Sequence, residues 1–186
     1  MIAFFEQNAS LFSQYPDILE DFQSIMTLET FPKHHILHEE GFICDHLYVI
    51  ISGIARVFYY KNGNDISCHF AAEQETITAI DSFVQRKKSK YYIEALEDLE
   101  VFTVSFEDLE NLFLKHPEYE RFGRLFMQQN YVELAERIDH LQIKTAQERY
   151  ENLLEQKPHY LQRIPLKHIA TFLNVTPETL SRIRSK

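Results

Sequence analysis

Residues 165–186 constrain the fold more than any other stretch, because they predict two short helices joined by a tight turn. Pro165 suits the first position of a helix, where its missing N–H costs nothing. Ile169, Ala170 and Leu173 follow at helical spacing, and Ala170 is small enough for a second helix to cross closely. The sequence therefore predicts a first helix that begins at Pro165 and packs through this apolar face.

The residues that follow predict the turn and the second helix. Asn174 tolerates a left-handed backbone, Thr176 is a preferred N-cap, and Pro177 is a favoured first helical residue. Leu180 and Ile183 then supply a buried face. The candidate DNA-contacting residues are Thr176, Glu178, Thr179, Ser181, Arg182 and Arg184. A helix-turn-helix presents such side chains to the major groove, whereas an αα-hairpin that only completes a core is the alternative.

The charge distribution is compatible with DNA binding at this end of the chain. The whole chain has a net charge of −9. Residues 145–186 carry seven Lys/Arg against four Asp/Glu, which gives +3, whereas residues 1–144 carry twelve against twenty-four, which gives −12. An acidic body with a basic end is typical of a protein that touches DNA through that end alone.

The rest of the sequence predicts a β-rich body between helical segments. Residues 1–30 have helical spacing of apolar residues, interrupted at Pro16. Short runs of β-branched and aromatic residues then recur, with Asn62-Gly63 as a hairpin signal. The predicted strands fall within residues 33–40, 47–51, 54–60, 66–71, 76–80, 91–96 and 101–104. Strands at this spacing predict an all-β sandwich or barrel.

Helical spacing returns after Ser105 and predicts a short helix, a long one from Pro117 to about Lys144, and another over 145–156. The long helix carries an apolar stripe spaced four, three, four and three residues apart. This candidate dimer interface consists of Met127, Tyr131, Leu134, Ile138 and Leu141. A stripe of two heptads predicts a homodimer, and packing of the helix on its own body is the alternative.

The composition favours a protein of the reducing cytoplasm. Cys44 and Cys68 are too few for a disulfide framework or a four-cysteine iron–sulfur cluster. No run approaches eighteen apolar residues and the N-terminus lacks a basic leader, so neither a membrane span nor a signal peptide is expected. The sequence predicts no cofactor, no metal, no membrane partner and no catalytic residues.

The order of a β-roll, a long helix and a helix-turn-helix resembles the Crp/Fnr family of bacterial transcription regulators. HHILHEEGFICDHLYVIISGIARVF is similar to the first glycine-marked hairpins of that family, and TAQERYENLLE to the first helix of its DNA-binding domain. VTPETLSRI resembles the recognition helix, and Glu178, Ser181 and Arg182 stand at its base-reading positions. The resemblance implies an α+β chain that forms a homodimer on two-fold symmetric double-stranded DNA, and RNA polymerase is a further candidate partner.

The predicted domains follow from this resemblance. Residues 1–116 would form a cyclic nucleotide-binding-like sensor domain, built as a jelly-roll-like double-stranded β-helix with flanking helices. Residues 117–144 would form the long dimerisation helix, and residues 145–186 the helix-turn-helix domain. Family members usually continue into a β-hairpin wing, whereas this sequence stops at Lys186. Weaker and less salt-dependent DNA binding is expected for that reason.

A second departure concerns the effector pocket. Members that bind a cyclic nucleotide have a glycine-glutamate segment and an arginine-serine or arginine-threonine pair, but Ile80-Asp81 and Ser89-Lys90 stand near those places. Lysine does not reproduce the arginine fork that binds a phosphate. The candidate effector pocket comprises Asp81, Ser82, Phe83, Lys88, Lys90 and Tyr92. We expect no response to cyclic AMP, and at least one of Phe83, Tyr91 and Tyr92 to fill the cavity.

Two other functions remain open from the sequence. The histidines and cysteines of the β-roll could form a cupin-like metal site, although His35 alternates away from His34 and His38. A ligand-sensing or interaction module that has lost DNA binding is the other alternative. The segment RKKSK, residues 86–90, is predicted to be a solvated loop.

Overall fold

A computed structural model describes residues 15–185. Among these residues the chain forms two compact units, one of residues 15–57 and 70–126, the other of residues 58–69 and 127–185. None of the described helices is long and apolar enough to cross a membrane. The helices predicted before Pro16 lie outside the described residues, apart from Tyr15.

Among the described residues, eight strands form two four-stranded sheets, which belong to the first unit except where their strands run through residues 58–69. The strands are β1 (Thr27–Phe31), β2 (Ile36–His38), β3 (His46–Ser52), β4 (Ala55–Lys61), β5 (Asn64–Ala71), β6 (Thr76–Ile77), β7 (Tyr92–Ala95) and β8 (Leu99–Ser105). One sheet has the order β1-β8-β3-β6 and the other β2-β7-β4-β5. The predicted β-rich body with a roll of short strands is confirmed.

The apolar face of each sheet turns inward. Buried residues from both sheets form one cluster: Cys44, Tyr48, Ile50, Ala55, Val57, Ala71, Ile77, Ala79, Ile93, Ala95, Leu99 and Val101. Close packing also dictates local backbone, since Gly53 has a φ of +97° and a side chain there would strike the carbonyl of Asp98. Burial of these side chains, each contributing roughly 1.5–3 kcal/mol for a large aliphatic residue, stabilises the roll.

Helices flank the strands. They are α1 (Ile18–Ser24), α2 (Ile80–Gln85), α3 (Phe106–Lys115), a 3₁₀ turn (Pro117–Tyr119), α4 (Glu120–Ile143), α5 (Ala146–Gln156), α6 (Pro158–Arg163), α7 (Leu166–Phe172) and α8 (Pro177–Arg184). Ile18 of α1, Leu112 of α3, Tyr119 and Phe122 form a second buried cluster, which Leu125 and Phe126 join. The start of the long helix thus packs within the first unit.

Four details of the predicted secondary structure were wrong or incomplete. Residues 27–31 form β1 rather than the end of a helix, because they pair with β8 from Thr27↔Thr103 to Phe31↔Leu99. The segment 76–80 is a strand only at Thr76–Ile77, and Ile80 already begins α2. Helix α6, which begins at Pro158, was not predicted. Pro165 is the N-cap of α7, one residue before its first helical residue.

The hairpin of β4 and β5 contributes to both units. Asn62 and Gly63 at its tip both have positive φ, of 53° and 79°, which confirms the predicted Asn-Gly turn. Residues 58–69 belong to the second unit together with the rest of α4 and helices α5 to α8.

Candidate nucleic-acid interface and ligand segment

Helices α7 and α8 are joined by a four-residue turn whose geometry follows from its sequence. Asn174 has a left-handed backbone with φ of 55°, as its residue type predicted. The Val175 N–H donates to the Ala170 carbonyl at 3.0 Å, which satisfies one carbonyl at the end of α7. The Thr176 hydroxyl accepts the Thr179 N–H at 3.2 Å, so Thr176 caps α8.

The two helices share a dry core. Ile169, Ala170 and Leu180 are fully buried, and Leu173 and Ile183 are nearly so. Burial of these residues from both helices holds α8 on α7. Truncating a buried leucine such as Leu180 to alanine costs roughly 2–5 kcal/mol in comparable cores.

The opposite side of α8 is polar and open. Glu178, Ser181, Arg182 and Arg184 are exposed, and Arg182 and Arg184 form no ion pair within residues 15–185. Thr176 is exposed too, whereas Thr179 is half-buried. An exposed helix face with two free guanidinium groups has the chemistry that base edges and phosphates require.

Glu178 is held at the start of α8. Hydrogen bonds from its own backbone N–H and from the Thr176 hydroxyl lower the pKa of its carboxyl. The positive end of the helix dipole favours the same charged form. The carboxylate is thus ionised and oriented at neutral pH, which leaves it an acceptor for an amino group such as that of cytosine.

The second open surface lies on α4. The predicted stripe is largely outside any core: Met127 is 44% exposed, Tyr131 72%, Leu134 55% and Ile138 46%, with Leu141 half-buried. Val132 and Ile143 are also exposed. Apolar side chains at this spacing along one helix are typical of a helix–helix seam.

The segment around α2 satisfies its own polar groups. Ser82 is fully buried; its hydroxyl accepts the Cys44 N–H at 2.8 Å and donates to the Lys87 carbonyl. Ser89 is 3% exposed; its hydroxyl donates to the Asp81 carboxylate and accepts the Tyr91 N–H. These bonds tie the loop after α2 to its own helix.

Arg86 completes this network. The residue adopts a left-handed backbone with φ of 54° at the end of α2. Its guanidinium pairs with the Asp45 carboxylate, donates to the Cys44 carbonyl at 2.9 Å and lies 4.2 Å from the centre of the Phe106 ring. An arginine of the predicted solvated segment is therefore directed onto the protein and is already partnered.

Phe83 and Ser89 likewise turn inward, whereas Lys87, Lys88 and Lys90 are exposed. Phe83 is 6% exposed and packs edge-on against Phe106 at 5.4 Å. Tyr92 is half-buried. The prediction of a solvated loop over residues 86–90 was thus wrong for Arg86 and Ser89, since the left-handed turn at Arg86 directs the following chain back onto α2.

His38 is the other buried polar residue near this segment. Its imidazole is 8% exposed, and Nε2 has no hydrogen-bond partner within the described part of the chain. Burial lowers the pKa of His38, against the opposing effect of the Asp81, Asp45 and Glu39 carboxylates. The ring is therefore neutral at physiological pH.

The two best-formed hollows over residues 15–185 lie elsewhere. One is lined by Lys144, Glu148, Glu151, Asn152 and Glu155, and the other by residues 30–32, Ser52 and residues 98–100. No three His, Cys, Asp or Glu side chains are grouped for a metal ion in the same part of the chain. Neither hollow includes a candidate effector residue.

Arg86 is the residue of this segment that sequence reasoning missed. The sequence search looked for arginine at the position of Ser89, three residues further on. Its partner Asp45 lies in the loop before β3 and is exposed, so the sequence held no signal for the pair. Only the folded backbone brings Asp45 and Arg86 together, since 41 positions separate them in sequence.

The roll is similar in sequence to a known domain family. Residues 28–116, somewhat under half of the chain, match the family of cyclic nucleotide-binding domains. No curated protein matches the chain in sequence. This match supports the predicted similarity of the roll to cyclic nucleotide-binding domains.

Solved structures share the fold over most of the chain. FixK2 from Bradyrhizobium japonicum superposes with a TM-score of 0.76 at 18% identity, covering 87% of this chain and 83% of FixK2. The c-di-GMP responsive global regulator CLP from Xanthomonas campestris gives 0.69 at 15%, covering 90% and 88%. A protein described as a Crp/Fnr-family transcriptional regulator, from Eubacterium rectale, gives 0.69 at 16%, covering 88% and 79%. The chain therefore has the fold of Crp/Fnr-type regulators.

Proposed function

We propose that this protein is a DNA-binding transcription regulator of the Crp/Fnr type, which acts as a homodimer on a two-fold symmetric operator. The observation that carries the proposal is α8, an exposed polar helix fixed by a dry core on α7. The shared fold with known regulators supports it. A regulator of this kind works on cytoplasmic DNA and performs no catalysis.

Base reading is assigned to three residues of α8. Arg182 stands one helical turn after Glu178, so both can reach the same groove. Arginine pairs with the O6 and N7 atoms of guanine, and glutamate accepts from the amino group of cytosine. Ser181 is exposed between them. Thr176, Thr179 and Arg184 are assigned to phosphate contacts or to the support of this surface.

The homodimer is assigned to α4. A helix of 24 residues is about 36 Å long, and its exposed stripe would meet the same stripe of a second copy. A dimer is also what DNA binding requires, because a single helix-turn-helix unit rarely binds tightly enough alone. Two copies place two recognition helices on one face of the duplex.

We infer that cyclic AMP is not the effector. A cyclic phosphate needs an unpaired arginine and approachable backbone amides. Arg86 is already paired with Asp45, and the Ser82 and Ser89 hydroxyls are used within the segment. If an effector acts here, it would have to displace contacts among Asp81, Ser82 and Phe83 and would find Lys88, Lys90 and Tyr92 at its rim.

The proposal is tested by selecting bound fragments from sheared genomic DNA with the purified chain. We expect recovery of a site made of two inverted half-sites, and retention of that site in a gel shift. Recovery of no preferred sequence at low salt would contradict DNA reading and favour an interaction module. A single, asymmetric half-site would contradict the dimer but not the base reading.

A further inference from the structure

Helix α7 is held from outside at its C-terminal end by two arginines. The carbonyls at this end have no donors within the helix. Arg137 of α4 donates to the Phe172 carbonyl at 3.4 Å, and Arg149 of α5 donates to the Leu173 carbonyl at 3.0 Å. The other end of the Arg149 guanidinium donates to the Lys144 carbonyl at 2.7 Å, just after α4 ends.

Arg137 is half-buried, and its guanidinium has no carboxylate partner in the described chain. Burial lowers its pKa to about 10, so it is still protonated at neutral pH. Its guanidinium lies 3.8 Å from the centre of the Phe172 ring, where a cation–π contact offsets part of the lost hydration. Removing a charge from water is costly, and both the hydrogen bond and the ring contact direct this charge at Phe172 of α7.

The β4–β5 hairpin contacts the same helix through Asp65 and Ser67, near the start of β5. The Ser67 N–H donates to the Thr171 hydroxyl at 3.1 Å, and that hydroxyl donates to the His168 carbonyl. Asp65 lies 3.5 Å from the His168 imidazole, whose side chain is 5% exposed. Three elements therefore contact α7: helix α4, helix α5 and the β4–β5 hairpin.

These contacts end where the turn into α8 begins. Residues 173–176 start at the carbonyls that Arg137 and Arg149 occupy, and α8 packs rigidly on α7 through its dry core. Any change in the angle between α4 and α7 would consequently move α8 as a body. No contact in this set reaches the outer face of α8.

We propose that Arg137, Asp65 and Ser67 are positioning residues for DNA recognition. They set the position of α8 relative to α4, and thereby the distance between half-sites that the dimer accepts. This inference rests on the proposed function, because it assumes that α8 reads DNA and that α4 joins two copies. In this inference Arg182 determines the base sequence of each half-site, and Arg137 determines the distance between the two half-sites. The two properties are then separable by mutation.

The test compares Arg137→Lys with Arg121→Lys, an exposed arginine earlier on α4. Lysine keeps the positive charge but loses the planar fork and much of the stacking on Phe172. DNA is selected from a library in which two copies of the preferred half-site are separated by a variable number of base pairs. Amide hydrogen exchange of the DNA-free proteins at residues 173–176 is measured in parallel.

We expect Arg137→Lys to keep the half-site sequence, to lose about tenfold in affinity at the preferred spacing and to accept a broader range of spacings. Exchange at Val175 should become faster, whereas Arg121→Lys behaves as the unchanged protein. Thr171→Val, which removes the hairpin contact, should broaden spacing in the same direction. If Arg137→Lys does not fold, Arg149→Lys makes the same comparison.

Unchanged spacing preference together with unchanged exchange in Arg137→Lys would overturn the inference. An equal loss at every spacing with unchanged exchange would also overturn it, because that pattern marks an effect on affinity alone. If the unchanged protein selects no DNA, the proposed function fails, and the exchange measurement still decides whether Arg137 fixes the turn. Faster exchange at residues 173–176 alone would support the positioning of α8 by Arg137.

Discussion

The α2 segment of the first unit differs from helices α4 and α8 of the second unit in whether its side chains have partners within the described protein. In the first, the segment where a ligand would enter is closed by its own bonds, with Ser82 and Ser89 buried and Arg86 paired to Asp45. In the second, α4 leaves apolar residues such as Tyr131 exposed, and α8 leaves its charged face unpaired. The polar groups of the α2 segment are thus satisfied within the protein, whereas the apolar stripe of α4 and the two arginines of α8 have no partners within the described residues.

This difference indicates where function depends on another molecule. An apolar stripe left in water costs free energy that a second copy would recover, since each large side chain removed from water contributes roughly 1.5–3 kcal/mol. A ligand gains little free energy by binding to a closed polar network, because every hydrogen bond that it forms replaces an existing one. We therefore expect substitutions in the second unit to have the largest effects on association.

The largest effect is expected from Leu134→Asp combined with Ile138→Asp. Two carboxylates in the centre of the seam would repel their counterparts and would be desolvated in any dimer. Light scattering should give the mass of a monomer, and operator affinity should fall by orders of magnitude. Gln129→Asp with Gln142→Asp introduces the same charge on exposed positions of α4 and should remain dimeric. A dimer that survives the first pair would place the interface elsewhere.

Arg182→Ala is expected to have the next largest effect. Loss of one arginine–guanine pair should cost roughly 1–3 kcal/mol of discrimination at one base pair of each half-site. The fold should be retained, because Arg182 is exposed and lies outside the α7–α8 core. Competition gel shifts with single-base variants of the operator measure this loss.

Lys167→Ala is the comparison for that measurement, because Lys167 is an exposed cation on α7 rather than α8. Its loss should weaken all operator variants alike and leave the ranking of bases intact. An unchanged base preference in Arg182→Ala would show that the outer face of α8 does not read sequence.

A smaller effect is expected from Thr176→Ala, which removes the N-cap of α8 at a cost of about 1 kcal/mol of unfolding free energy. Glu178 adds a pH dependence, because its own N–H and the Thr176 hydroxyl lower the pKa of its carboxyl. A carboxyl with a lowered folded-state pKa stabilises the fold above its unfolded pKa and loses that contribution as pH falls through the folded value.

The difference in urea stability between the unchanged protein and Thr176→Ala should accordingly be larger at pH 7 than below pH 4, roughly the unfolded value of glutamate. Ser181→Ala, on the exposed face of the same helix, should show neither the loss nor the pH dependence. An equal difference at both pH values would mean that Thr176 does not act through Glu178.

The helices α7 and α8 could be predicted because local chemistry determines them. Asn174 at the reversal, Thr176 at the cap and Pro177 at the start each have one physical reason to be where they are. The Asn62-Gly63 hairpin could be predicted for the same reason, since both residues accept positive φ. These signals lie within four or five residues of the structure that they specify.

Other elements could not be predicted because distant residues decide them. Strand β1 has helical spacing in sequence, and only its pairing with β8, more than 70 residues away, makes it a strand. The ligand segment shows the same limit, because Arg86 was predicted as solvent-exposed and is turned inward by a left-handed backbone and by Asp45. An arginine expected at the position of Ser89 does not reveal the inward-facing role of Arg86, three residues earlier.

The smallest effect is expected from cyclic nucleotides, for which calorimetry at millimolar cyclic AMP or cyclic GMP should show no saturable heat. To seat a cyclic phosphate on α2, the ligand would have to break the Arg86–Asp45 pair and expose the Ser82 hydroxyl, which bonds Cys44 and Lys87. The exposed Lys88 offers only a hydrated, flexible charge in return. Phe83, packed on Phe106, would also have to leave its place.

The variant Asp45→Asn tests whether the ion pair prevents binding, because it removes the carboxylate partner of Arg86 and changes no group on α2. We expect no binding in the unchanged protein and none in Asp45→Asn, since the buried Ser82 and Phe83 still occupy the space. Heat that appears in Asp45→Asn alone would identify the ion pair as the block. A micromolar dissociation constant in the unchanged protein would mean that the first unit is open to ligands, and the contrast between the two units would then be lost.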